Sequence, residues 1–125
     1  MPLSYVLITP AHNEEEFIEL TIRSVIKQTI LPRKWIIVDD GSSDRTAEIV
    51  GKYLPDNAWM ELLQMPIRRE RHFAGKAVAV NTAYEKMKSL DFDIVGNLDG
   101  DISFDSDFME YLLGEFAQMP NLGVA

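Results

Sequence analysis

The chain is 125 residues long, 46% hydrophobic and 26% charged, with a net charge of −8. That length supports one domain with a sizeable core. The composition excludes a disordered tail, and the acidic balance argues against nucleic acid as a partner, since phosphate neutralisation supplies most of that affinity. With no cysteine, disulfides, zinc–thiolate sites and Cys nucleophiles are excluded together. The same absence fits a reducing compartment, so the expected location is cytoplasmic or at the cytoplasmic face of a membrane. The apolar runs are shorter than the roughly 20 residues that cross a bilayer. Met1 to Pro10 lacks the basic and long apolar regions of a signal peptide, so none is expected. A longer parent chain leaves room for membrane association.

In chain order, Tyr5–Thr9 is a compact apolar strand ended by Pro10. From Glu14 to Gln28 the residues Ile18, Ile22, Val25 and Ile26 recur at helical spacing, with Asn13 as the expected N-cap. Trp35–Val38 reads as the second strand and runs into Asp39-Asp40-Gly41. Ser42-Ser43-Asp44 then offers an N-cap for a helix carrying Ala47, Val50 and Leu54. Trp59–Gln64 reads as a third strand, although Trp59–Leu63 also suits a helical turn. A basic stretch with Arg68, Arg69 and Arg71 precedes Gly75-Lys76 and a helix over Lys76–Lys88, whose stripe is Val80, Ala83, Tyr84 and Met87. Ile94–Leu98 is the fourth strand and ends in Asp99-Gly100-Asp101. A last helix from Asp105–Asp107 is expected to bury Phe108, Leu112, Leu113 and Phe116.

Strands alternating with helices predict an α/β, Rossmann-like, mainly parallel sheet with helices on both faces. In such sheets ligands bind beyond the carboxyl ends of the strands. Pro10–Glu14, Asp39–Ser43 and Asp99–Asp101 follow strands one, two and four, so all three polar segments should share one edge.

Each of these segments has a chemical reading and a bland one. Asp99 and Asp101, one residue apart, can converge on a hard divalent cation such as Mn²⁺ or Mg²⁺; the bland reading is an acidic strand end. Of Asp39 and Asp40, one is expected to orient the turn and the other to face the crevice, against the bland reading of an acid-rich helix cap. The basic stretch with Lys76 suits an anionic ligand at a helix start; the bland reading is a solvated loop. It is not a P-loop, which needs Gly where Glu70 stands and Ser or Thr where Ala77 stands. His12 reads as a hydrogen-bonding or stacking loop residue.

Taken together, Thr9-Pro10-Ala11-His12-Asn13-Glu14-Glu15, Val38-Asp39-Asp40-Gly41-Ser42-Ser43-Asp44-Arg45-Thr46, Gly75-Lys76-Ala77-Val78-Ala79-Val80-Asn81 and Leu98-Asp99-Gly100-Asp101 resemble the family 2 glycosyltransferases, which have the GT-A fold. The resemblance covers nearly the whole chain and implies that residues 1–125 are the nucleotide-sugar-binding part of such a domain. It implies that Asp40 contacts the base, that Pro10, Ala11 and Glu14 line the base and ribose pocket, and that Asp99 lies near the ribose and sugar. Lys76 would stand near the donor. Asp101 would be the principal metal ligand, the metal bridging the diphosphate of a nucleotide-diphosphate sugar. His12 stands where the family often has Tyr. The acceptor, a sugar, lipid or polysaccharide, and the acidic catalytic base are expected to belong to chain beyond Ala125. The implied activity is sugar transfer with inversion; the alternative is a nucleotide-sugar-binding module that lacks the base.

Two other classes fit less well. Asp99, Asp101, Ser103, Asp105, Asp107 and Glu110 fall on the ligand positions of an EF-hand loop, but Phe104 stands where the sharp turn needs Gly. A haloacid dehalogenase-type phosphatase carries its D-x-D after the first strand, followed by Gly-Thr, whereas here it follows the fourth and continues with Ile102-Ser103.

Overall fold

The computed structural model describes residues 3–65, 73–98 and 105–118. The elements alternate as β1 (Tyr5–Ala11), α1 (Ile18–Ile26), β2 (Lys34–Asp40), α2 (Thr46–Gly51), β3 (Met60–Met65), α3 (Phe73–Met87), β4 (Ile94–Asn97) and α4 (Phe108–Gln118). The strands form one parallel sheet in the order β3-β2-β1-β4. Leu7 pairs with Trp35, Ala11 with Asp39, Asp40 with Met65 and Ile8 with Asn97.

The central strands are continuous apolar runs because both faces are covered. Alternation sends Tyr5, Leu7 and Ala11 of β1 and Trp35 and Ile37 of β2 to one face. There they pack on Ile18, Ile22 and Val25 of α1, Val50 of α2 and Met109 and Leu113 of α4. Val6, Ile8, Ile36 and Val38 face the other way, onto Ala83 and Met87 of α3. Each of these branched side chains contributes roughly 1.5–3 kcal/mol on full burial. The Trp35 ring stacks on Trp59 with centroids 6.4 Å apart. Its indole N–H donates to Thr9 Oγ1 at 2.9 Å, and both residues are wholly buried.

Glu61 pins α3 to the sheet. Its carboxylate accepts Lys86 Nζ at 2.6 Å and Lys34 Nζ at 3.0 Å. The Lys86 hydrogen bond, followed by that from Lys34, outweighs partial desolvation and holds this carboxyl below its ordinary range.

Several expected boundaries shift. The third segment is a strand, Met60–Met65, not a helical turn. The first helix starts at Ile18, and its N-cap position is Phe17 without a side-chain cap bond. Asn13 is instead in the left-handed region with φ 53°, and Glu14–Phe17 form a turn in which the Glu14 carbonyl accepts the N–H groups of Phe17 and Ile18. On α4 the buried residues are Met109 and Leu113, while Phe108 is 40% exposed, so its buried stripe is rotated by one position from expectation. On α3 Tyr84 is exposed and only Ala83 and Met87 are buried among the described positions of the stripe. No helix among the described residues is long and apolar enough to cross a membrane.

Candidate functional site

The loops after β1 and β2 meet at the carboxyl edge of the sheet and are bonded to each other. The Asn13 N–H donates to Ser42 Oγ at 2.9 Å, and the Ser43 N–H donates to Asn13 Oδ1 at 2.9 Å. Glu14 N–H donates to Thr46 Oγ1 at 2.9 Å, and Glu15 N–H to Asp44 Oδ2 at 3.2 Å. His12 Nδ1 lies 2.8 Å from the Asp40 carbonyl oxygen. A carbonyl only accepts, so Nδ1 carries the proton, and in the neutral ring Nε2 is left to accept from Asn13 Nδ2 at 3.2 Å. Five loop residues are thus fixed by partners about thirty positions away, and the edge is preorganised without a ligand.

The second loop depends on its acids in different ways. Asp39 and Asp40 are 4% and 3% exposed, and as neighbours on one strand they leave it on opposite faces. Asp39 points to the α1/α2 face, and its Oδ1 accepts the Ser42 N–H at 3.1 Å. It closes the turn through Gly41, whose φ of 68° is a conformation that glycine adopts without a Cβ clash. Asp40 ends β2 on the α3 face. Asp44 caps the following helix from one position upstream of the N-cap residue Arg45. Its Oδ1 accepts the Thr46 N–H at 2.9 Å and the Thr46 hydroxyl. Burial pushes the Asp44 carboxyl up, but the bonds from Thr46 and from Glu15 N–H outweigh it, leaving a net fall.

Of the expected site residues, Pro10, Ala11, Glu14 and Asp40 stand together at this edge. Pro10 and Glu14 are half-buried. Ala11 is 2% exposed, its methyl packed in the core on the α1 face, so it can offer a ligand only backbone. Lys76 belongs to the first turn of α3, but its side chain, like all of Asp99, Asp101 and the arginines 68, 69 and 71, lies outside the described residues. The chain enters the 99–101 segment from Leu98, whose N–H donates to the Ile8 carbonyl at 2.9 Å on the neighbouring strand. Among the described residues no group of three or more His, Asp or Glu side chains is placed to hold a metal. An apolar cleft of about 170 Å³ between β4 and α4 is lined by Tyr5, Leu7, Ile94, Met109 and Leu113 among others. None of its lining side chains is charged, so it offers no convergent polar chemistry.

Sequence reasoning did not find Asn13, Ser42, Ser43 and Thr46 as the residues that join the two loops. Their signal was present in type only: Asn tolerates a left-handed turn, and short hydroxyl side chains reach backbone N–H groups.

A parallel sheet whose polar loops gather at the carboxyl edge defines a nucleotide-binding α/β domain of the GT-A kind. The chain matches the model of glycosyl transferase family 2 over residues 6–125 and belongs to that family. It is 32% identical over 112 residues to the poly-β-1,6-N-acetyl-D-glucosamine synthase of Staphylococcus epidermidis, covering 90% of this chain and 25% of the relative. The enzyme of the same name from Staphylococcus aureus is 34% identical over the same span. The chain therefore spans about a quarter of the length of these relatives. Among solved structures, Staphylococcus aureus TarS 1-349 superposes with a TM-score of 0.71 at 22% identity, covering 93% of this chain and 33% of that one. TarS has also been solved with UDP-GlcNAc. The mannosyltransferase PcManGT from Pyrobaculum calidifontis, in complex with GDP-Man and Mn²⁺, gives 0.67 at 25% identity, covering 83% and 29%.

Proposed function

We propose that this chain is the donor-binding part of a glycosyltransferase that moves a sugar from a nucleotide diphosphate to an acceptor hydroxyl with inversion. The observation that carries this reading is the bonded pair of loops, His12–Glu15 with Asp40–Thr46, at the carboxyl edge of a family 2 sheet.

In this reading Asp40 accepts N–H bonds from the base, and Pro10, the Ala11 backbone and Glu14 border the base and ribose. Asp99 binds near the ribose and sugar, and Lys76 stands near the diphosphate. The donor set at Asp99 and Asp101 is carboxylate only, which fits a hard cation such as Mn²⁺ or Mg²⁺ that keeps water and substrate oxygens as its other ligands. When bound at Asp101 it supplies Lewis-acid stabilisation of the charge on the departing diphosphate. The bond between the anomeric carbon and the phosphate oxygen breaks as the acceptor oxygen bonds to the opposite face. The acceptor proton passes to a carboxylate outside these residues.

The relatives' names support a GlcNAc donor and a polysaccharide acceptor, with GDP-Man as the competing donor that the PcManGT likeness brings. The absence of cysteine supports a cytoplasmic setting, including the cytoplasmic face of a membrane.

Thermal unfolding of the chain with UDP, GDP, dTDP and CDP, each with and without Mn²⁺, tests the reading. A ligand held at 100 times its dissociation constant stabilises by about 2.7 kcal/mol. One nucleotide should raise Tm clearly, and more with Mn²⁺; no shift with any of the four removes the donor-site assignment.

A further inference from the structure

Gln28 lies two residues past the end of α1 and is 5% exposed. Its Nε2 donates to the Ser24 carbonyl at 2.9 Å and to the Asp105 carbonyl at 2.6 Å, while its Oε1 accepts the Met109 N–H at 2.9 Å. These partners fix the amide's orientation, because turned over it would set oxygen against two carbonyls and nitrogen against an N–H. A carboxylate of the same length cannot donate, and an apolar side chain can do neither. Thr29 doubles the attachment: its N–H donates to the Ser106 carbonyl at 2.8 Å and its Oγ1 to Glu110 Oε1 at 2.6 Å.

The bonds join the end of α1 to the first turn of α4. The other end of α1 leads back to the loop at His12–Glu15, itself bonded to Ser42–Thr46. Residues 99–104 are covalently bounded by Leu98, held on Ile8, and by Asp105, held on Gln28. One helix therefore carries the first donor loop at one end and, through Gln28, the downstream anchor of the Asp99–Asp101 segment at the other.

We infer that Gln28 is a positioning residue: through the Asp105 carbonyl it fixes the Asp99-Gly100-Asp101 segment relative to the loops of β1 and β2, and so governs the metal-dependent tightening of nucleotide binding. The inference rests on the donor-site reading above. Gln28 acts through backbone alone, without contact to nucleotide or metal.

The test is calorimetric titration of the full chain with UDP and with GDP, with and without Mn²⁺, for wild type, Gln28→Glu and Gln28→Met. The ratio of the two affinities is the coupling factor between metal and nucleotide. Both variants should bind nucleotide without Mn²⁺ within about twofold of wild type, while the coupling factor falls at least about fivefold. A residue important only for stability lowers the folded fraction, which scales both affinities alike and leaves their ratio unchanged. Should the Gln28 variants fail to fold, Thr29→Val removes only the exposed bond to Glu110 and should lower the coupling by a smaller factor. Wild-type coupling preserved in the folded variants overturns the inference and leaves the donor site standing. Wild-type binding that ignores Mn²⁺ overturns the metal part of the donor reading and this inference with it.

Discussion

Asn13 and Ser43 hold the two edge loops together: the Asn13 Oδ1 accepts the Ser43 N–H at 2.9 Å while Asn13 itself stands at φ 53°. Two demands meet at one residue, a left-handed backbone and a side-chain acceptor. Asn satisfies both, Gly only the first and Ala neither. Asn13→Gly should therefore cost about 1 kcal/mol, the net worth of a hydrogen bond. Asn13→Ala should cost roughly 1–2 kcal/mol more, because Ala also meets the left-handed penalty. Urea unfolding with an unchanged slope gives both values. An Ala variant as stable as the Gly variant contradicts this account of the loop.

Thr9 has a different task, because its only printed partner is the indole of Trp35 in the core. Thr9→Val keeps the branched shape and removes the acceptor, leaving a buried N–H without it. The expected loss is about 1–3 kcal/mol. Thr9→Ser, which restores an acceptor, should recover part of it after allowance for the lost methyl. Chemical denaturation followed by tryptophan fluorescence measures both, and equal losses in Val and Ser would assign the cost to packing instead.

The Asp44 carboxyl lies below its ordinary range because the Thr46 and Glu15 bonds outweigh its burial. The unfolded chain therefore binds this proton at a higher pH than the folded chain does. The stabilisation is fully present above the unfolded value, about 3.9, and is lost as pH falls through the folded value. Asp44→Asn keeps an oxygen for the Thr46 N–H and removes the titration. Its stability should fall less steeply than wild type as pH is lowered through the acid range. Parallel curves from denaturant titrations would show that Asp44 does not contribute to the acid dependence.

The fold was legible because the strands are long apolar runs and the helices show 3.6-residue stripes. Val6-Leu7-Ile8 and Ile36-Ile37-Val38 could only be covered on both faces, and the parallel order then brings the polar strand ends to one edge. The start of α1 was misread because Asn serves equally as an N-cap and as a left-handed loop residue, and only the partners at Ser42 and Ser43 decide between them. On α4 two adjacent stripes, Phe108-Leu112 and Met109-Leu113, are both apolar. Their choice is set by packing against β4 and by the Gln28 bond to Met109, made from 81 positions away. Asp39 as the closer of the turn was legible as one of two choices; Gln28 was not legible, since nothing local marks a glutamine whose partners are so distant.

The central claim is a nucleotide diphosphate bound at the carboxyl edge together with a metal on Asp101. The most direct measurement is a double calorimetric titration, nucleotide with and without Mn²⁺, on wild type and Asp101→Asn. Two carboxylates one residue apart repel each other, and cation and diphosphate relieve that repulsion jointly. In wild type Mn²⁺ should tighten nucleotide binding by about 5-fold or more, and by linkage the nucleotide should tighten Mn²⁺ binding by the same factor. In Asp101→Asn most of that factor should disappear while metal-free nucleotide affinity is retained. A wild-type affinity indifferent to Mn²⁺, or a variant that responds as wild type does, contradicts the claim.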